Sequence, residues 1–270
     1  MSTADVVLVE RRRHVTTLTI NRPEVFNALD QEVLGALHRE VLAAAADPST
    51  RVVVLTGCGE KAFSAGADLK ELQGMGADRA HEVMCRGQQV LREIERAGVP
   101  VIAAVNGVAL GGGFELVLAC TFPVLSTRAS LGLPEAGLGL IPGYGGTQRL
   151  PRVVGQQVAA HLMLTGARLD AERAHRLGLT PVPPVAPEEL TATATALADR
   201  VAAQGPTAVR SILAALEAGR DATLDAGLQL ETGLAALAVA GAESDEGIAA
   251  FLERRAPAFT DPDTAGEEPQ

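Results

Sequence analysis

A glycine run, Gly111-Gly112-Gly113, leads directly into Phe114-Glu115, and a second acidic residue, Glu135, follows within Gly132-Leu133-Pro134-Glu135-Ala136-Gly137. Glycines so placed can bare backbone N–H groups to a ligand, because no side chain screens them. Two carboxylates can share one water, one acting as base and the other as acid. Together these pieces suit chemistry in which negative charge builds on an oxygen while protons are moved beside it. The glycines are equally compatible with simple close packing of a strand on a helix. Glu115 is harder to explain that way, since a carboxylate flanked by Phe114 and Leu116-Val117-Leu118 needs partners.

The elements that must position these residues are legible as hydrophobic periodicity. Strand signals at 6–9 and 15–20 precede a helix from about Asp30, its expected N-cap, with Val33, Leu34, Leu37, Val41 and Leu42 at helical spacing. An apolar strand at 52–55, a helix over 79–96 and a buried strand at 101–105 predict α/β layering. The 101–105 strand delivers the glycine turn, and 114–119 continues as a buried helix with the glycines at its N-terminus. There the first N–H groups lack intrahelical partners and the helix dipole is positive, which favours an oxyanion. Phe63-Ser64-Ala65-Gly66-Ala67-Asp68-Leu69-Lys70 follows the other buried strand in the same way, so two loops can contribute one N–H each.

After Ser126 the pattern loosens into glycine and proline loops, and from about Pro187 it is helical, through 221–240 and 243–254. Leu224, Leu228, Leu234 and Leu237 give the Ala-rich helices an apolar face for the core or for another subunit. The expected organisation is an α/β core over 1–195, a helical region over 196–259 and a polar, disordered tail over 260–270.

Composition narrows the function. The chain has 270 residues, 47% of them hydrophobic, enough for a large core, and 28 glycines against 3% aromatics predict tight backbone packing. A net charge of −10 without a basic cluster argues against nucleic acid, and Arg11-Arg12-Arg13 reads as a solvated hairpin turn. Cys58, Cys85 and Cys120 are too scattered for disulfides or zinc and are expected to be reduced and mostly buried. His14, His38, His81, His161 and His175 show no metal spacing. Residues 137–142 break the dinucleotide fingerprint, there is no Gly-Lys-Ser/Thr phosphate loop, and Ser64 lacks a nucleophile elbow. Without a secretory leader or a long apolar run, a cytoplasmic, membrane-free protein is expected.

The segments 63–70, 105–115 and 132–143, with Gly143-Tyr144-Gly145-Gly146-Thr147-Gln148-Arg149-Leu150-Pro151 and Leu164-Thr165-Gly166-Ala167-Arg168, strongly resemble the crotonase superfamily, and within it the enoyl-CoA hydratases. The likeness runs from about Val6 to Phe259. It implies an α/β fold, the crotonase (ClpP-like) spiral of ββα repeats with a helical C-terminal trimerisation region, assembled as a homotrimer or homohexamer. It also implies reversible addition of water to a 2-trans-enoyl-CoA, giving 3-hydroxyacyl-CoA through a thioester enolate. Ala67 and Gly112 match the oxyanion-hole positions, Glu115 the carboxylate that activates water, and Glu135 the one that protonates C2. Val25, Phe26, Ala65, Ala67, Asp68, Leu69, Lys70, Gly111, Gly112, Pro134, Gly143 and Arg254 match positions that hold CoA or substrate. Coenzyme A is the substrate's carrier, and no metal or separate cofactor is implied. The two lysines, Lys61 and Lys70, bracket the 65–69 loop and, with Arg22, offer cations to its phosphates. Two departures stand out: Glu24 where relatives often carry a basic residue, and Thr121 where they usually carry Asp.

Having both glutamates favours a hydratase over the alternatives in the superfamily, an isomerase or a specialised acyl-CoA dehydratase. Some relatives bind RNA through a basic helix, but here the matching helix carries Asp30, Glu32 and Glu40 against Arg39. Residues 75–84 and 138–144 are expected to wall the acyl site, with Gly74-Met75-Gly76 as a mobile lid.

Overall fold

The structure, a computed structural model, describes residues 5–261. The chain opens with strands β1 (Val7–Arg12) and β2 (Val15–Ile20), which form an antiparallel hairpin. The basic run is not confined to the turn: Arg11 and Arg12 continue β1, and Arg13, at φ 52°, makes the reversal with His14. Helix α1 (Gln31–Ala46) follows, capped as expected by Asp30, whose side chain accepts the Val33 N–H at 2.8 Å. The expected apolar stripe is largely buried, although Leu42 is exposed.

Three repeats then share one plan. Strand β3 (Val52–Gly57) runs into the short β4 (Ala62–Ser64), followed by α2 (Leu69–Leu72) and α3 (Ala77–Glu95). Strand β5 (Val101–Val105) runs into β6 (Val108–Leu110) and α4 (Gly112–Ala119). Strand β7 (Phe122–Leu125) runs into β8 (Ser130–Gly132), a one-turn 3-10 helix at Glu135–Leu138 and α5 (Gly146–Val154). The long strands form one sheet, β1-β2-β3-β5-β7, parallel from β2 onward, and the short ones form a second, β4-β6-β8, parallel throughout. Each repeat thus turns from the first sheet into the second, which is a ββα spiral. Asn106 ties the turns together, its amide donating to the carbonyls of Gly57, Gly59 and Ala62, and the Asn27 amide also donates to Ala62 O, at 2.8 Å. These amides satisfy carbonyls that lose their ladder partners where the chain leaves one sheet for the other.

The segment after Ser126 is more ordered than its composition predicts. Besides α5 it holds α6 (Gln156–Thr165), β9 (Leu169–Asp170), which closes the second sheet antiparallel to β8, and α7 (Ala171–Arg176). Glycines at 155 and 166 in backbone conformations with positive φ let the short helices break sharply.

Alternation along the central strands sends Val53, Leu55, Ala103 and Val105 to a core shared with α1, α3 and α4, and Val52, Val54, Ile102 and Ala104 to the opposite face. Helix α8 (Leu190–Ala202) covers that second face with Leu190, Ala194, Ala198 and Ala202, one residue per turn and all buried. A division after residue 195 would cut α8 in its middle, and α8 packs with the sheet. Helices α9 (Pro206–Gly219), α10 (Leu224–Val239) and α11 (Ala242–Glu253) form the extension, and α10 has no buried residue. Of the expected tail, residues 262–270 lie outside those described. Its beginning is tied down, since Arg51 bonds Asp261 Oδ1 and Phe259 O at 2.8 Å each. No helix among the described residues is long and apolar enough to cross a membrane. The free cysteines are more exposed than expected: Cys85 is on the surface and Cys58 and Cys120 are partly buried.

Candidate active site

The carboxyl ends of β4, β6 and β8 lie side by side, with Ser64 opposite Ala109 and Leu110 opposite Gly132. Each repeat therefore delivers one segment to the same edge: Ala65–Ala67 from the first, Gly111–Glu115 from the second, Pro134–Glu135 from the third. Gly66 and Gly112 approach so closely that a Cβ on Gly66 would stand 3.2 Å from Gly112 N, and one on Gly112 would stand 3.4 Å from Ala67 N. Leu29 holds the first segment in place, its N–H bonding Gly66 O at 2.8 Å and its carbonyl accepting from Asp68 N at 3.0 Å. That pairing leaves the Ala67 N–H facing away from Leu29. Gly112 begins α4, so its N–H has no partner within the helix. Two N–H donors from different repeats thus converge beside a helix N-terminus, a geometry that suits a developing oxyanion.

Glycine is required at two of these positions. Gly111 takes φ 49° at the turn into α4, and a side chain there would stand 3.0 Å from Glu135 Oε1. A Cβ on Gly113 would stand 2.8 Å from the Cβ of Ser64, so α4 could not seat on β4.

Glu115 is 1% exposed, and its Oε1 accepts two backbone hydrogen bonds, from Tyr144 N at 2.8 Å and Gly146 N at 2.7 Å. Burial raises its pKa to about 7, the Gly146 and Tyr144 N–H bonds pull it down, and the neighbouring charge of Glu135 pushes it up. Glu135 is half-buried, with its pKa raised by burial, and its Oε2 is buried without a hydrogen-bond partner among the described residues. The two acids are therefore distinguished by environment. Burial raises both, Glu115 to about 7, but two backbone donors are aimed at the charged form of Glu115, whereas Glu135 Oε2 has none among the described residues.

Both carboxylates open onto a cavity of about 800 Å³. Its apolar wall includes Met75 and Met84 from one expected segment and Leu138, Leu140 and Ile141 from the other. At the surface, Ala65 N bonds Phe26 O at 2.9 Å, bringing the loop around Val25 beside the 65–69 segment. Phe26 is half exposed, with Lys61 Nζ 6.0 Å from its ring centroid, and Leu69 and Lys70 are exposed. Arg22 does not offer a free cation: it bonds Asp30 Oδ2 at 2.7 Å and Ala28 O at 3.0 Å and lies 3.5 Å from Asp68 Oδ2. Pro134 and Gly143 line the cavity, and Arg254 ends α11 in an exposed left-handed conformation. Thr121 fills its unusual position structurally, with its hydroxyl accepting the Val101 N–H at 3.0 Å where β5 begins.

The donors to Glu115 are what residue-type reasoning overlooks. They are backbone groups of Tyr144 and Gly146, and the only trace of them in the chain is the Gly-Tyr-Gly-Gly run itself. A Cβ on Gly146 would stand 3.0 Å from Glu115 Cγ, so glycine permits this approach. Among the described residues no group of three or more His, Cys, Asp or Glu is placed to hold a metal ion.

Comparison with known proteins adds independent findings. Residues 10–262 match the family model described as enoyl-CoA hydratase/isomerase. The chain is 41% identical over 249 residues to a crotonyl-CoA hydratase of Syntrophomonas wolfei, covering 92% of this chain and 95% of that protein. It is likewise 41% identical over 254 residues to the 2,3-dehydroadipyl-CoA hydratase of Escherichia coli, covering 94% and 98%. The crystal structure of an enoyl-CoA hydratase from Bacillus anthracis superposes with a TM-score of 0.91 at 39% identity, covering 95% of this chain and all of that one.

Proposed function

This chain belongs to the enoyl-CoA hydratase/isomerase family and has its crotonase fold, and we propose that it hydrates 2-trans-enoyl-CoA thioesters to 3-hydroxyacyl-CoA. The observation that carries this reading is the pair of acids with unlike environments facing one cavity beside two converging N–H donors. Hydration needs a base for water and an acid for C2, and two carboxyl groups with different hydrogen-bond partners on one cavity support that division of labour.

In this reading the thioester carbonyl oxygen sits against Ala67 N–H and Gly112 N–H. Glu115, kept ionisable by its two backbone donors, takes a proton from water as the water oxygen bonds to C3. The C2=C3 pair shifts to form C1=C2 as the carbonyl π pair moves onto oxygen, and the enolate oxygen is held by the two N–H groups. As the enolate collapses, Glu135, whose Oε2 has no donor to hold it ionised among the described residues, gives its proton to C2. Glu115 then carries the proton taken from water and Glu135 is ionised, and proton exchange with solvent resets the pair. The two carboxylates titrate as a coupled unit, so the step needs one proton on the pair rather than a fixed value for each. The apolar cavity wall takes the acyl chain, and Val25, Phe26, Ala65, Asp68, Leu69, Lys70 and Arg254 are the residues assigned to the CoA portion. No metal or redox group is needed.

The exposed apolar residues of the C-terminal extension, among them Leu237 at 73% and Phe251 at 82%, support assembly as a homotrimer or homohexamer. Light scattering gives the mass directly, and a monomer would remove that part of the reading. Reaction in isotopically labelled water tests the chemistry. Hydration places the oxygen label at C3, whereas isomerisation would move the double bond with no oxygen incorporated.

A further inference from the structure

The hydrogen bonds that fix Glu115 continue beyond the cavity. Tyr144, whose backbone N–H donates to Glu115, accepts through its own carbonyl a 2.9 Å hydrogen bond from Arg149 Nη1. Arg149 also closes the turn with its backbone, its N–H bonding Gly145 O at 2.9 Å. Gly145 adopts φ 110°, and a Cβ there would collide with the Arg149 guanidinium. The other side of that guanidinium is clamped by Glu95 at the end of α3, with Nε 3.3 Å from Oε1 and Nη2 3.1 Å from Oε2. Glu95 in turn is held by Arg92 Nη1 at 3.0 Å and by Arg220 Nη1, at the end of α9, at 2.5 Å. The side chains of Arg149 and Glu95 are only 13% and 10% exposed.

We propose that Arg149 is a positioning residue for the base: clamped by Glu95 and Arg220, it fixes the 144–146 backbone so that two N–H groups point at Glu115 Oε1. The inference rests on Glu115 acting as base in the proposed hydration. A packing role alone would need no fork of this kind. One plane of the guanidinium meets the carboxylate while a third nitrogen holds the carbonyl, a division of donors that a point-charge lysine cannot reproduce. The chain of contacts also joins α9 of the C-terminal extension to the site.

The charged and titratable groups around Glu115 are Glu135 from the turn after β8, and Arg149 and the Tyr144 phenol from α5 and the loop before it. Arg149 lowers the Glu115 pKa, so losing it raises that pKa.

The test is Arg149→Met beside Arg149→Lys, assayed with crotonyl-CoA across pH. Arg149→Met should lower kcat about tenfold or more, leave KM within about threefold, and move the acid limb of kcat upward. Arg149→Lys should restore the acid limb, because the charge returns, but not the full kcat. An unchanged acid limb and kcat in Arg149→Met would overturn the proposal, since a merely structural role predicts less folded protein with ordinary kinetics. A crystal structure of Arg149→Met supplies a readout without activity: Tyr144 N or Gly146 N should leave hydrogen-bond distance of Glu115, and retention of both bonds would refute the inference even if the wild type hydrated nothing. An inactive wild type would refute the hydration reading instead. Should Arg149→Met fail to fold, Arg220→Met and Glu95→Gln loosen the same clamp from outside, with smaller changes expected in the same direction.

Discussion

Replacing Glu115 with Gln should make the protein more stable at neutral and alkaline pH while removing most of its activity. The carboxylate is 1% exposed, and its pKa is raised from 4.5 to about 7 chiefly by burial. In the unfolded chain the same group ionises near its ordinary value, so between those pH values the folded state binds more protons and stability falls as pH rises. Once pH exceeds the folded value the whole cost is present, about 3 kcal/mol at about 1.4 kcal/mol per pH unit. Below the unfolded value both states are protonated and the cost vanishes. Gln keeps an acceptor oxygen for Tyr144 N and Gly146 N, so both backbone bonds survive, and it carries no charge. A buried amide N–H left without a partner takes back about 1 kcal/mol. The net gain is about 2 kcal/mol at pH 8, or about 4–8 °C in Tm for a domain of this size, shrinking to nothing or slightly below near pH 4. Thermal melts of both proteins at several pH values measure this, and turnover of crotonyl-CoA should fall about 10²–10⁴-fold. A variant less stable than the wild type at pH 8, or one whose stability follows pH as the wild type's does, would refute the burial argument.

Other substitutions probe the scaffold and the cavity. Gly113→Ala places a methyl group 2.8 Å from the Ser64 side chain, so it should destabilise by about 1–3 kcal/mol in urea unfolding and lower kcat as α4 shifts. Asp30→Ala removes the cap on Val33 N and the 2.7 Å bond from Arg22, with an expected loss of about 1–2 kcal/mol in the same experiment. Met84→Ala enlarges the apolar wall of the cavity and should raise kcat/KM for octenoyl-CoA relative to crotonyl-CoA about tenfold. An unchanged ratio would mean that the chain does not reach Met84.

Elements whose signal is local were readable from residues alone. Asp30 caps α1 because a short acidic side chain just before an apolar stripe can reach the free N–H groups of the first turn. The strands at 52–55 and 101–105 were legible because both faces are buried, which makes the apolar run continuous; the polar end of the first, Thr56 and Gly57, was not. The glycine turn into α4 was visible for the same reason: only a residue without a side chain fits where Glu135 approaches Gly111. The helices α5–α7 were missed because they are short and separated by glycines, which read as loop when counted and as helix ends once the turns are seen. The continuity of α8 with the sheet was also hidden. Ala194, Ala198 and Ala202 form a packing stripe through small side chains that carry little hydrophobic contrast. At the site, the two acids and the N–H-bearing glycines could be identified by type and resemblance, but not what distinguishes the acids. That difference comes from backbone donors at Tyr144 and Gly146, and backbone groups leave no residue-specific mark. Arg22 shows the converse, a cation with a plausible external ligand whose bonds are spent inside the fold on Asp30 and Ala28.

The central claim is that this site adds water across the conjugated double bond of an acyl thioester. A panel of 2-trans-enoyl-CoA thioesters, short to long and linear to branched, followed by loss of conjugated absorbance with mass analysis of each product, tests it most directly. Absorbance should fall rapidly for at least the shorter linear members, with every product heavier by one water. Absorbance that persists across the whole panel, or products of unchanged mass, would contradict it.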